Sequence, residues 1–460
     1  MIEVGGICFS LLLLMLLAWR GASLIVIAPL CVLAAVVTDG RTPALAAYTQ
    51  IFMPGVGQFI ARYFPLFLLG AIFGTQMQNS GAARRIALVL TDRFGVRQAI
   101  SAVVFTCALL TAGGVSVFVV VFAVFPIADD LFRRADLPRR LIPAAIALGS
   151  FTFTMTALPG TVQLPNLIPM PYFRTTPWAA ASVGLAASIA ILTAGLLWLR
   201  HRALQANCRG EGYGDKIEPS PAPAATDVGT LPSAFAAFAP IVVVLVANLL
   251  LSLLILPQTN ASYLAEPRFG RTSLDRIIGT WSALLSLLIA NGLAGLLFAG
   301  SIRRLNLWLS EGAQASLFPV FNTAVEFGYG TTIAALSGFA TIRTLLGSLS
   351  PSSPLISEAV AVNVLAGVAG SASGGLSIAM ESLGDAWREQ GLRLGTDPEL
   401  LHRVAALSCG GLDSLPHNGA VITLLLICRC SHRQSYADIA VVSLAIPLAV
   451  TALVVAYASI

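Results

Sequence analysis

The stretch Phe318–Gly328 reads FPVFNTAVEFG, and Phe64–Gly74 reads FPLFLLGAIFG. Both follow F-P-x-F, then five residues, then F-G, and they lie 254 positions apart. Two more pairs follow in the same order. GGVS (Gly113–Ser116) matches GGLS (Gly374–Ser377) at an offset of 261, and Leu158-Pro159 matches Leu415-Pro416 at an offset of 257. Three matches in one order at nearly constant spacing read as an internal repeat. The apolar segment near Ala22–Val37 then maps onto Ile277–Ala299, and Trp178–Leu199 maps onto Ala437–Ala456. The chain divides into repeat one at residues 1–199, a polar linker at 200–233 and repeat two at 234–460. The linker holds EPSPAPAATD (Glu218–Asp227), with the Pro and Ala of a flexible loop.

Composition sets the medium in which these repeats fold. Of 460 residues, 57% are hydrophobic and 11% charged, and the mean hydropathy is +0.83. Soluble domains average about 25% charged residues. Apolar runs such as Ile7–Trp19, Pro240–Leu256 and Trp281–Gly300 recur along the chain and read as membrane helices. The expectation is an all-α polytopic membrane protein whose first run is a helix, since it has no basic flank or small-residue cleavage site and a second run follows it. The net charge of +5 sits between apolar segments, so it marks loop orientation and points to no nucleic-acid partner. Seven scattered cysteines read as small buried hydrophobes, and no metal site is expected.

Charge in the loops gives the topology. RRIALVLTDRFGVR (Arg84–Arg97) precedes the apolar segment Ala99–Ile127, and DDLFRRADLPRR (Asp129–Arg140) follows it. Both flanks are basic and belong on one side, which a single spanning helix cannot achieve. Gly113-Gly114 also leaves two arms too short to span. The segment therefore reads as a re-entrant hairpin with GGVS at its tip, tolerated where protein or water surrounds the broken backbone. Its counterpart is near Ile356–Leu383, and the loop after that, Gly384–Arg403, lacks a basic excess. With the N-terminus outside, 17 of the 27 Lys and Arg fall inside. Repeat one then starts outside and repeat two inside, so the repeats are inverted. Inverted repeats with broken helices mark secondary transporters, whose site lies where the breaks meet. Helix N-termini exposed at such breaks hold an anion without a buried arginine, and no intramembrane Arg or Lys stands out near these breaks.

The F-P-x-F helix, surface helix, Gly-Gly hairpin and Pro-broken helix, in that order twice, resemble the gluconate:proton symporter (GntP-type) family within the ion-transporter superfamily. GAIFGTQMQNSGAARRIALVLTDRFG (Gly70–Gly95) is similar to its Gly-rich helix end and surface helix, and AGVAGSASGGLSIAM (Ala366–Met380) to its second hairpin. The resemblance implies an elevator-type, proton-coupled importer in the bacterial inner membrane, working as a homodimer. The chain departs from the family at TALPGTVQLPN (Thr156–Asn166), where the relatives are His- and Pro-rich, and at LDSLPHNGAV (Leu412–Val421). A first break this apolar suits a small hydroxy monocarboxylate such as 3-hydroxybutyrate better than a polyhydroxylated acid, whose hydroxyls need many partners.

The candidate site follows from these breaks. Gly113, Gly114, Ser116, Pro159, Gly160, Thr161, Ser371, Ser373, Gly374, Gly375, Ser377, His417 and Asn418 are candidate substrate-binding positions. The glycines double as turn-formers, and the serines as small packing residues. Glu326, Asn322 and Asp413 are candidates for proton coupling. Glu326 replaces Ile72 of repeat one, and Asn322 is one turn away on the same face. Asn322 and Thr323 are expected to hydrogen-bond the Glu326 carboxyl, which an intramembrane position marks as functional or as structural glue. Cys409, Asp413 and His417 have i, i+4, i+8 spacing, but Gly410, Gly411 and Pro416 interrupt the face a metal would need. Thr152, Thr154 and Thr156 alternate as in an extended approach to Pro159. No cofactor is expected beyond a coupling ion, proton or sodium. The alternatives are a sodium-coupled carboxylate carrier, an anion channel or an intramembrane enzyme. Neither H-E-x-x-H nor G-x-S-x-G occurs in support of the last.

Overall fold

The computed structural model describes residues 2–20, 22–214, 231–341, 344, 353–416 and 418–459, and every regular element among them is helical. The first half contains α1 (Ile2–Trp19), α2 (Leu24–Asp39), α3 (Ala44–Asn79), α4 (Ala82–Phe94), α5 (Ala99–Ala112), α6 (Val117–Arg134), α7 (Ile142–Ser150) and α8 (Ala181–Cys208). The second contains α9 (Ala234–Gln258), α10 (Leu274–Phe298), α11 (Ile302–Ala335), α12 (Pro354–Ala369), α13 (Ala372–Ala379), α14 (Asp385–Leu394), α15 (Pro398–Cys409), α16 (Gly419–Ile427) and α17 (His432–Ala458). Among the described residues, α3, α8, α9, α10 and α17 are long and apolar enough to cross a membrane. Their outward faces keep large apolar side chains exposed, Leu296 at 87% and Leu453 at 69%. In water such a surface would drive aggregation, whereas in lipid it is the stable state.

Each half contains a helix pair (α1 with α2, α9 with α10), a long helix, a hairpin, a broken helix and a last helix, but α4 precedes the hairpin of the first half whereas α14 follows that of the second. The two long helices, α3 and α11, carry the FPLF and FPVF stretches and pack against each other antiparallel. A Cβ on Gly55 would lie 3.2 Å from the Gly328 Cα, and one on Gly312 would lie 2.6 Å from the Ile72 Cα. Glycine at these crossings lets the backbones touch. Phe59 and Phe327 fill the seam with ring centroids 5.4 Å apart.

The segment around Gly113-Gly114 folds back on itself. Gly114 has φ +89°, and a Cβ there would stand 2.7 Å from a Val162 methyl, so both conformation and space require glycine. The outer ends of both arms meet one stretch of chain. Arg200 donates to the Ser101 hydroxyl at the start of α5, the Tyr213 hydroxyl donates to Asp129 near the end of α6, and the Tyr213 amide donates to Asp136 just beyond it. The arms are a hairpin, and α4 joins the first of them at a bend of 107°. α12 and α13 form the second hairpin. There Gly370 turns at φ +63°, and a Cβ on Gly375 would sit 2.2 Å from the Ala366 backbone.

Two boundaries differ from the sequence reading. α8 starts at Ala181 and runs through Cys208, past Leu199, because Arg200 and Arg202 are held on it by Ser101 and Asp438. The linker's centre, residues 215–230, lies outside the described residues. Thr152, Thr154 and Thr156 are not extended. Phe153–Thr156 is a single helical turn, and the three hydroxyls donate to the carbonyls of Leu148, Gly149 and Thr152. The Thr152 and Thr154 hydroxyls thus serve the Leu148 and Gly149 carbonyls at the end of α7, and the Thr156 hydroxyl adds to a Thr152 carbonyl already bonded by the Met155 and Thr156 amides. At the end of the molecule where α8 stops, buried Asp438 of α17 accepts from Arg140, Arg202 and the Trp198 indole. The basic segments before α7 and at the end of α8 thus meet the start of α17 at one end.

Candidate functional site

Both hairpin tips and both breaks converge on one cavity of about 720 Å³. The first hairpin supplies Gly114, Ser116 and Val117, and the second supplies Gly370 to Ser373. The first break supplies Val162 to Pro165, and the second supplies Asp413 and Asn418 to Ala420. α3 adds Leu66, Phe67, Gly70, Ala71 and Thr75, and α11 adds Asn322 and Thr323. Four helices begin at this cavity, α2 among them after Ser23. α6 starts after Ser116, α13 after Ser371 and α16 after Asn418. Their first backbone N–H groups and positive dipole ends favour negative charge. No lysine or arginine lines the cavity among the described residues.

The capping chemistry fixes these tips. Ser371 accepts from the Gly374 amide at 3.1 Å. Asn418 accepts from the Ala420 and Val421 amides and donates to the carbonyls of Gly370 and Asp413. One amide side chain therefore joins the second hairpin to the second break. Its hydrogen bonds are spent on holding the walls, so Asn418 positions the cavity rather than offering a free donor. On the opposite side Gln163 donates to the Thr111 and Val115 carbonyls, joining the first break to the first hairpin.

Of the expected binding positions, Gly114, Ser116, Ser371, Ser373 and Asn418 line the cavity. Gly113 turns the other way, toward Ile241 of α9. Pro159, Gly160 and Thr161 lie behind the wall. Gly160, at φ +79°, sits under the Trp178 ring, and the Thr161 carbonyl accepts from the Asn166 amide. The chain reaches the cavity one residue later, at Val162. Gly375 is committed to the arm contact, and the Ser377 hydroxyl donates to the Ser373 carbonyl, so neither reaches the cavity. His417 lies outside the described residues. α15 ends at Cys409, and Gly410 to Pro416 is irregular, so Cys409 and Asp413 share no helix face.

Glu326 is fully buried just behind the wall. Neither of its carboxyl oxygens has a hydrogen bond of full geometry among the described residues, and the Ser371 hydroxyl is the side-chain donor that interacts with it. Asn322 and Thr323 do not serve it: the Thr323 hydroxyl donates to the Pro319 carbonyl, and Asn322 faces the cavity. The carboxyl instead lies against Gly374, where an added Cβ would fall 1.6 Å from Oε2. Glu326 thus occupies the rear of the same α13 first turn whose front opens on the cavity through Ser371 and Ser373.

The sequence reading overlooked several groups. Arg403 is fully buried in α15. Its five N–H groups donate to the carbonyls of Ala157, Pro177 and Ala179 and to Asn166. An arginine does stand by the first break, but no hydrogen is left for a substrate. Reading Leu401, Val404 and Leu407 as a helical face would have placed Arg403 inside. Arg62 of α3 reaches the Tyr172 hydroxyl at 3.5 Å, and that hydroxyl donates to Glu381 at 2.8 Å. Glu358, in the first arm of the second hairpin, is a second fully buried carboxyl without a partner among the described residues. An acid in LISEAVAVNVLAG gives the same signal as Glu326.

Known proteins resemble the chain over its whole length. No protein-family model matches it. The uncharacterized transporter YxjC of Bacillus subtilis is 40% identical over 468 residues, covering 99% of this chain and 98% of the relative. The chain belongs to the YxjC transporter family. An uncharacterized transporter of Haemophilus influenzae is 32% identical over 118 residues, 26% of each protein. Among solved structures, the YdaH transporter of Alcanivorax borkumensis superposes with TM-score 0.57 at 15% identity, over 90% of this chain and 88% of that one. MtrF of Neisseria gonorrhoeae, described as one of a class of antimetabolite efflux pumps, gives 0.53 at 12% identity over 90% and 84%. These two share the fold. This YxjC-family chain is an all-helical, multi-pass membrane transporter, and the relatives' names carry no enzymatic activity.

Proposed function

We propose that the protein is a proton-coupled importer of a small organic monocarboxylate in the bacterial inner membrane. The substrate is a hydroxy acid of 3-hydroxybutyrate size or a gluconate-like acid, and the kinship with gluconate:proton symporters is one of design. The observation that carries this reading is the cavity itself. Four helix N-termini open on it, and among the described residues no lysine or arginine lines it. The dipole ends, with the first-turn N–H groups that Ser371 and Asn418 do not already cap, suit one carboxylate, and no lysine or arginine among the described residues balances a second. The antiparallel packing of α3 on α11 supports inverted repeats, which give alternating access to a fixed site. A homodimer with one domain moving against a scaffold belongs to the same proposal.

Glu326 carries the coupled proton. Protonated, it is tolerated behind the α13 turn. Ionised, it would claim that dipole end and repel an anion docking on its front. Proton and substrate then bind together and leave together.

The test is uptake by purified protein in liposomes. 3-Hydroxybutyrate uptake should saturate, accumulate under an imposed proton gradient and be inhibited poorly by succinate or citrate. Glu326→Gln should still exchange substrate but fail to accumulate it. Accumulation driven only by sodium would replace the proton, non-saturating flux would indicate a channel, and a dicarboxylate as best competitor would overturn the dipole site.

A further inference from the structure

Among the described residues the cavity carries one acid on its wall, Asp413, and with the coupled proton on Glu326 its use is open. Asp413 lines the cavity and is 4% exposed. One of its carboxyl oxygens accepts from the Ser414 hydroxyl at 2.9 Å, the Ser414 and Asp413 amides face the carboxyl, and no other side chain among the described residues bonds it. Asn418 ties its location down, since one amide nitrogen is 2.9 Å from both the Asp413 and the Gly370 carbonyls. Asp413 therefore stands beside the Ser371 turn that begins α13 and beside the start of α16. The site has two unlike halves within the length of a small molecule: N–H groups for an anion, and a carboxyl oxygen that needs a donor.

We infer that Asp413 accepts a hydrogen bond from the substrate's hydroxyl and is the residue that distinguishes hydroxy acids from their deoxy counterparts. This rests on the carboxylate reading of the cavity and adds a second recognition element to it. A hydroxyl brings one donor, which one oxygen satisfies. An ammonium group in the same place would bring three. No second carboxylate lines the cavity among the described residues, so the other two donors would meet only neutral groups and the charge would be poorly balanced beside them. A substrate lacking the hydroxyl would leave the Asp413 oxygen desolvated and unpaired. Sites built to bond a hydroxyl reject the analogue without it strongly.

Binding of 3-hydroxybutyrate, butyrate and 3-aminobutyrate to the purified transporter tests this. The wild type should prefer 3-hydroxybutyrate to butyrate by at least about tenfold, with 3-aminobutyrate weakest. In Asp413→Ala the hydroxy/deoxy ratio should fall toward one, and Asp413→Asn, which keeps an acceptor oxygen, should retain part of the preference. A residue that merely supports the wall would weaken both acids alike and leave the ratio standing. If neither variant folds, the wild-type ratio decides. A wild-type ratio near one, an Asp413→Ala ratio equal to the wild type's, or tighter binding of 3-aminobutyrate overturns the role of Asp413 while leaving carboxylate transport intact. Failure of every carboxylate to bind would instead remove the functional reading beneath it.

Discussion

At Glu326 the sequence marks the residue but not its surroundings. A carboxyl inside FPVFNTAVEFG stands out because its repeat-one counterpart is Ile72. The i, i+4 spacing to Asn322 suggests a pair, yet the helix places Asn322 on the cavity and Glu326 one turn deeper, beneath the second hairpin. The group that meets it is Gly374, from a hairpin remote in sequence, which no local spacing reveals. This contact yields a prediction. A methyl at Gly374 would overlap the Glu326 carboxyl, so Gly374→Ala must displace either the carboxyl or the α13 turn, and overpacking of that kind typically costs about 1–3 kcal/mol. We expect a lower melting temperature in detergent and loss of uptake. Adding Glu326→Ala should restore the melting temperature but not accumulation. If the double variant melts no higher than Gly374→Ala alone, the two groups do not meet as described.

Among the elements, those with strong local signals were legible. Gly-Gly turns and basic flanks disclosed the first hairpin, because a left-handed turn needs glycine and loop charge is not buried in lipid. Its two flanks should label from one side of the membrane. Single cysteines at the exposed Arg93 and Arg134, in a background without the native cysteines, should react with an impermeant maleimide from the same face. Labelling from opposite faces would exclude the re-entrant arrangement. The first break was legible as a break but not in its content. Its carbonyls are collected by Arg403, which arrives from α15 in the other half of the chain. Arg403→Met keeps the apolar stem and leaves the carbonyls of Ala157 and Ala179 short of donors, while the Pro177 carbonyl still accepts from the Gly160 amide and the Asn166 side chain. Each unmet buried acceptor costs about 1–3 kcal/mol. Arg403→Lys should rescue little, since one ammonium cannot span the fork of sites that a guanidinium reaches. A melting temperature within a degree or two of wild type for both variants would mean that the brace is dispensable.

For the whole molecule, the chain is read in halves on the expectation of a repeat, and neither half is complete by itself. The division rests on residues 200–233 being a connection rather than a buried element, and α8 takes up the first part of that stretch before the chain leaves the described residues at 215. Across the division the halves are interlocked. α3 packs along α11, Arg403 of the second half braces the first break, Arg140 and Arg202 of the first half hold Asp438 of the second, and the Trp178 indole donates to Asn248 of α9. A half expressed alone would expose the α3 or α11 seam with its glycines, and would leave either the first-break carbonyls or the Arg403 guanidinium unpaired within the bilayer, where water cannot substitute. A covalent link between the halves contributes none of these contacts. We therefore predict that residues 1–214 and 231–460, produced separately, are each degraded or aggregate. Produced together in one membrane, they should copurify through a tag on either piece and support uptake. Stable, monodisperse folding of one half by itself would show that the interlocking contacts are secondary. Failure of the co-produced halves to associate would place an essential part of the fold in residues 215–230.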